Sequence, residues 1–230
     1  MKVAIATNPG KVRQRNEDSC GTKGDIFIVA DGMGGHQAGD VASTVAVDRI
    51  LAKYNPTMSL EEVKDLIIGT NNEVFQMAEN DSNYNGMGTT VSVLVLKEKQ
   101  YYLLHVGDSR IYLYKNEKLH QLTTDHSVVG ELMRNGGITA DEAKTHPQRN
   151  ILTRALGTGH DLDIEIKEGT YAENDLFMLC TDGLSGVVNV EDMEKTLTED
   201  ISLQSKADKL VQLADDKGGP DNITVILVQV

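Results

Sequence analysis

Thr89-Thr90-Val91-Ser92-Val93-Leu94-Val95-Leu96-Lys97-Glu98-Lys99-Gln100-Tyr101-Tyr102-Leu103-Leu104-His105-Val106, continuing through Gly107-Asp108-Ser109-Arg110 to Ile111-Tyr112-Leu113-Tyr114-Lys115-Asn116-Glu117-Lys118-Leu119-His120-Gln121-Leu122, holds four apolar runs separated by polar turns. Val91, Val93 and Val95 alternate with Ser92 and Leu94, a period of two. Turns as short as Lys97–Gln100 and Lys115–Lys118 join only antiparallel neighbours, so the segment is predicted as a β-meander. Runs apolar on both faces need cover on both sides. Helical spacing supplies it before and after: about Asp40 to Tyr54, then a helix ending near Asn80 behind the capping box Ser59-Leu60-Glu61-Glu62. Further helices are predicted near Val128–Asn135, near Thr139–Thr145 behind a second capping box, Thr139-Ala140-Asp141-Glu142, and near Val190–Leu197 and Leu203–Asp216. The economical architecture is α+β, an α/β/β/α four-layer sandwich of two mainly antiparallel sheets flanked by helices. A parallel doubly wound sheet fits poorly, because the middle strands follow one another without crossover helices.

The chain has 230 residues, 40% of them hydrophobic, and only 4 prolines. No linker-like stretch or fixed-period repeat divides it, so residues 1–230 are expected to form one domain, with a flap subdomain at about 127–150. A net charge of −13 argues against nucleic-acid and anionic-membrane partners, which it would repel. No run approaches the roughly 20 apolar residues of a membrane span, and Met1–Asn8 lacks the apolar core of a signal peptide. The two cysteines, Cys20 and Cys180, have no metal-site or redox spacing. They are read as free thiols in a reducing cytosol, and the expected location is cytoplasmic.

Three apolar runs end in an aspartate beside a glycine: Ile26–Ala30 before Asp31-Gly32, Leu103–Val106 before Gly107-Asp108, and Phe177–Cys180 before Thr181-Asp182-Gly183. A fourth pair, Asp221-Asn222, opens the final run Ile223–Val228. A stiff buried strand delivers its terminal carboxylate to the point where the chain meets solvent. Several such ends can converge only if their charge is neutralised, and hard divalent cations such as Mg²⁺ or Mn²⁺ do that with oxygen ligands.

Six pieces occur in order: Arg13-Gln14-Arg15-Asn16-Glu17-Asp18, Val29-Ala30-Asp31-Gly32-Met33-Gly34-Gly35-His36, Gly86-Met87-Gly88-Thr89-Thr90, His105-Val106-Gly107-Asp108-Ser109-Arg110, Cys180-Thr181-Asp182-Gly183 and Gly219-Pro220-Asp221-Asn222. The series resembles the bacterial PP2C-type metal-dependent protein serine/threonine phosphatases, over essentially the whole chain. The resemblance implies that Asp31 bridges two metal ions and that the Gly32 carbonyl ligates one of them. Asp182 and Asp221 complete the other ion, and Asp108 with Asp182 matches a third-metal position. Glu17 and Asp18 match acidic positions holding metal-bound water, with Asn222 beside them, and Arg13 matches the residue that grips substrate phosphate.

The implied activity is hydrolysis of phosphoserine and phosphothreonine in proteins by a hydroxide bridging two Mn²⁺ or Mg²⁺ ions, which needs no protein nucleophile. A guanidinium at Arg13 suits bidentate phosphate recognition. His36 either protonates the leaving oxygen or orders the glycine-rich turn. His105 is read as a core residue, His126 is open between structural and functional roles, and Arg110 orients Asp108 or the meander. Gly88-Thr89-Thr90 is read as a close backbone approach at a strand start. The expected partners are phosphorylated proteins and a cognate membrane Ser/Thr kinase whose phosphorylations are reversed. One departure from the family pattern is Asn8 in Thr7-Asn8-Pro9-Gly10, where an aspartate is usual; it changes nearby charge but no metal ligand. A binding module that has lost catalysis would lack a ligand, and none is missing. A metal-dependent nuclease is disfavoured by the acidic charge.

Overall fold

The computed structural model describes residues 1–34 and 38–230. In chain order it contains β1 (Lys2–Asn8), β2 (Asp18–Lys23), β3 (Ile26–Met33), α1 (Ala38–Lys53), α2 (Leu60–Asn80), the two-residue β4 (Gly88–Thr89), β5 (Val91–Lys97), β6 (Gln100–Val106), β7 (Arg110–Lys115) and β8 (Lys118–Gln121). There follow α3 (Val128–Arg134), α4 (Ala140–Thr145), β9 (Glu165–Thr170), β10 (Leu176–Cys180), the single turn α5 (Asp182–Ser185), α6 (Val190–Thr198), α7 (Leu203–Asp216) and β11 (Ile223–Gln229). One sheet runs β1-β11-β10-β7-β8. The other runs β2-β3-β5-β6-β9, with β4 on the end of β3.

Alternation along the strands sorts side chains into three apolar layers. Ile26, Ile28, Val91, Val93, Val95 and Leu104 pack under α1 and α2. Phe27, Val29, Leu94 and Leu103 turn the other way and meet Ile111, Phe177, Leu179, Ile226 and Val228 between the sheets. Tyr112, Met178, Cys180, Val225 and Leu227 lie under α5, α6 and α7. The layering is α/β/β/α. Both faces of the central strands are covered, which is why their sequences are continuously apolar.

The predicted meander divides into two hairpins in different sheets. β5 pairs with β6 in one, and β7 with β8 in the other. Each hairpin has a two-residue loop with both φ values positive, Glu98-Lys99 and Asn116-Glu117, a twist that matches the strands it joins. The crossing occurs at Gly107, whose φ of +112° few other residues adopt. Hairpin turns are local, but which sheet continues after a hairpin is set by what the next strand can pair with. Here β7 finds β10.

The sequence reading passed over β2 and β9. Both are polar, half-exposed edge strands, so neither carries a continuous apolar run. Cys20, read as lying in a polar stretch, sits in β2. Both predicted capping boxes form: Ser59 exchanges hydrogen bonds with Glu62, and Thr139 with Glu142. No described helix is long and apolar enough to cross a membrane.

Candidate metal centre

The acidic residues gather because strand register puts them at one end of the sandwich. Asp18 and Asp31 are opposite one another in the β2–β3 pair. In the other sheet Cys180 faces Val225, so Asp182, just past β10, and Asp221, just before β11, leave the sheet together. Gly183 permits that approach, because a Cβ there would stand 1.9 Å from the Asn222 carbonyl oxygen. Asp108 enters between the sheets on the Gly107 crossing. Asp31 and Asp182 lie near enough for each to influence the other's titration.

Burial and mutual repulsion shape the electrostatics. Asp31 is held well above the usual carboxylate range by burial first, then by repulsion from Asp18, Asp182, Asp108 and Asp221. Burial and the neighbouring Asp182 push Asp108 up to about 8. Asp18 rises to about 7, again mainly through burial, although a Thr181 hydroxyl donates to its Oδ2 at 2.9 Å. Burial and Asp221 raise Asp182. Asp18 Oδ1 and Asp182 Oδ1 are buried without any hydrogen-bond partner among the described residues. A buried anionic oxygen with no donor is costly unless something else satisfies it. Hard carboxylate oxygens left bare in this way fit Mg²⁺ or Mn²⁺.

Neutral groups fix the frame. The Asp31 amide donates to Thr90 Oγ1 at 2.8 Å, the Thr89 hydroxyl and Thr90 amide both donate to the Asp31 carbonyl, and Thr90 Oγ1 bonds Ser109 Oγ. Gly88-Thr89-Thr90 therefore anchors Asp31 with hydroxyls, beyond allowing a close approach. Asn222 ties the N-terminal loop down: its amide nitrogen donates to the Pro9 and Arg15 carbonyls, and its oxygen accepts from the Glu17 amide. Glu17 accepts at its own carbonyl from the Gly32 amide and the Ser43 hydroxyl, which sets Gly32 beside it. Asn8 keeps the turn by accepting from the Gly10 amide at 2.7 Å. Arg13, half-exposed, donates through Nη2 to Asp221 Oδ2 at 2.8 Å.

Two residues escaped the sequence reading. Asp40 in the first turn of α1 helps raise Glu17, and its Oδ1 is also buried without a partner among the described residues. An aspartate there reads in sequence only as a charge at a helix start, since packing alone brings it to Glu17. Thr181 holds Asp18 and accepts the Thr224 amide; its place before Asp182 was the available signal. His36 lies outside the described residues. Arg110 grips Asp125 through Nε and Nη2, at 2.9 and 2.6 Å, and donates to the Tyr112 hydroxyl, so it braces β7 against the loop after β8.

The family model for Protein phosphatase 2C matches residues 10–223. The chain belongs to the protein phosphatase 2C family. It is 40% identical over 241 aligned residues to the serine/threonine phosphatase stp of Listeria innocua, covering 100% of this chain and 96% of that protein. The Mycobacterium tuberculosis serine/threonine phosphatase PstP/Ppp superposes with a TM-score of 0.92 at 34% identity, over 98% of this chain and 97% of that one. A structure of the PstP catalytic domain in complex with two manganese ions gives a TM-score of 0.89 at 32% identity, over 98% and 96%. This protein phosphatase 2C member is a bacterial-type protein serine/threonine phosphatase, with phosphoproteins as its substrates. Metal dependence accords with the family and with the bare buried carboxylates.

Proposed function

We propose that this phosphatase uses Mn²⁺ or Mg²⁺ held by Asp31, Asp182, Asp221 and the Gly32 carbonyl, with a third ion at Asp108 and Asp182. The observation that carries the reading is the set of converging, buried carboxylates with partnerless oxygens at Asp18 and Asp182. Bound divalent ions would supply charge neutralisation and a water nucleophile that is effective at neutral pH. The chain's own part is positional. Asp18, steadied by Thr181, and Glu17, beside Asp40, accept hydrogen bonds from water at the centre. Arg13 has only a one-point hold on Asp221, from which its planar fork can turn to substrate phosphate oxygens. Asn222 keeps that arginine's loop against β11. His36 is proposed as the donor of a proton to the leaving seryl or threonyl oxygen.

We further propose that residues 127–150, carrying α3 and α4, form the flap that reads protein substrates in a single domain spanning 1–230. The flap's foot is pinned, since the Val128 amide donates to the Ile151 carbonyl and Arg134 donates to the Asp125 carbonyl. Within the flap Lys144 pairs with Asp141, whereas Arg134 and Arg149 have no ion pair among the described residues; Arg154, just beyond it, pairs with Asp163. The proposed setting is the cytoplasm, opposite a membrane Ser/Thr kinase; the two free cysteines accord with it. Phosphate release from a phosphothreonine peptide, measured with Mn²⁺, without it and with a chelator, tests the metal assignment. Turnover at the wild-type rate in chelated, metal-free buffer would refute it.

A further inference from the structure

We propose that His105, His126 and Glu165 form a second cation site, distinct from the aspartate centre, for a borderline transition metal of the Zn²⁺ class. One ligand atom from each of the three residues lies within 4.8 Å of the other two, so one ion can reach all of them. The residues come from three separate elements: the end of β6, the loop after β8 and the start of β9. His105 is fully buried, and its Nδ1 is held at 2.8 Å by the Ser92 hydroxyl. Its Nε2 is left buried with no partner among the described residues. A fixed ring with one nitrogen on a hydroxyl and the other bare is the usual arrangement of a metal-binding histidine. Burial also lowers both imidazoles below the ordinary histidine value, His105 to about 4, which keeps their lone pairs free of protons at neutral pH. The two rings stack with centroids 4.9 Å apart.

Glu165 is positioned as firmly. Its Oε1 accepts from the Thr124 hydroxyl at 2.6 Å and Lys167 Nζ at 2.8 Å, while Oε2 accepts from the Thr124 amide at 2.8 Å and keeps a second lone pair for an ion. Its side chain remains 15% exposed, which gives an ion a route in. Two imidazoles and one carboxylate are a donor set for Zn²⁺ and its neighbours rather than for Mg²⁺ or Ca²⁺, and three protein ligands leave a position for water.

The site touches the Asp108 turn. The Gly107 amide donates to His126 Nδ1 at 3.2 Å, which puts that ring's proton on Nε2. An ion at Nδ1 displaces the amide, and an ion at Nε2 drives the proton onto Nδ1 against the same amide. Either way the bond to Gly107 is given up upon loading, so occupancy is felt one residue from Asp108.

The test is a Co²⁺ titration of the full chain in excess Mg²⁺, which occupies the aspartate oxygens, followed by visible d–d absorption. Four-coordinate Co²⁺ with imidazole ligands absorbs far more strongly than octahedral, all-oxygen Co²⁺. One equivalent of the intense band is expected in the wild type. It should be lost in His126→Gln and weakened by on the order of tenfold in affinity in Ser92→Ala, which frees the His105 ring. Zn²⁺ should bleach the band stoichiometrically. Wild-type protein without the band, or a His126→Gln variant that keeps it, overturns the proposal. His126→Gln is the primary variant because its ring is less completely enclosed than that of His105. A melting curve with the wild-type shape shows that loss of the band is loss of a ligand.

Discussion

Replacing Gly183 by alanine tests how tightly the proposed metal centre depends on a backbone contact. The added Cβ would meet the Asn222 carbonyl oxygen at 1.9 Å, its carbon at 2.8 Å and Ile223 Cα at 3.3 Å. All three are backbone atoms, so no side chain can rotate away. Restoring a contact of about 3 Å requires the start of β11 to move from α5 by roughly 1 Å. Asp182 stands on one side of that contact and Asp221 on the other, so the shift separates two proposed ligands. Overpacking of this kind costs about 1–3 kcal/mol in stability, and a displacement near 1 Å at a reacting site costs on the order of 100-fold in rate, about 3 kcal/mol. The expected outcome is a folded variant whose Mn²⁺ requirement rises and whose kcat/KM on a phosphothreonine peptide falls by about that factor. The assay is an Mn²⁺ titration of phosphate release beside thermal melting with and without the ion. A variant with wild-type kcat/KM at limiting Mn²⁺ would show that Asp182 and Asp221 do not act across this contact.

Four further outcomes are expected. Burial raises Asp18 to about 7 and Asp108 to about 8, and Asp31 and Asp182 rise with them. The folded, metal-free chain therefore binds more protons than the unfolded chain from about pH 4 to these values, and its stability falls as pH rises through that window. Melting temperatures of chelated protein that climb from about pH 6 to about pH 8 would contradict this sign. Asp108→Ala should impair turnover while calorimetry still records the two core ions, and loss of all binding would disprove the separate third position. Arg13→Ala should raise KM for phosphorylated substrates by on the order of tenfold, more than it lowers kcat, because a phosphate anchor acts on ground and transition states alike; an unchanged KM would remove it from the phosphate site. Exchanging residues 127–150 with the flap of another family member should alter the choice among phosphoproteins and leave aryl phosphate hydrolysis similar. A chimera with its old preference would make the flap scaffolding.

Much of the fold was legible in the residue pattern. The central strands announced themselves because sheet packs on one face and helix on the other, which demands apolar side chains throughout. Helices α2 and α4 were placed by their capping boxes, a purely local device. The aspartates at strand ends pointed to cations because charge cannot converge uncompensated, and that reasoning needs only strand boundaries. Edge strands β2 and β9 left no such trace, since one exposed face admits Thr22, Lys23, Lys167 and Glu168 without penalty.

What tertiary structure alone decided is pairing. Nothing in Val106-Gly107-Asp108 tells that β7 leaves its hairpin neighbours for β10 in the other sheet. Asp40 came to Glu17, and Thr181 to Asp18, through helix and strand packing over distances no local spacing encodes. His105, His126 and Glu165 are separated by dozens of residues and became neighbours only when β6, the loop after β8 and β9 closed around them. Local chemistry is written in consecutive side chains, whereas the meeting of distant ones depends on which of many compatible strand pairings buries the most apolar surface.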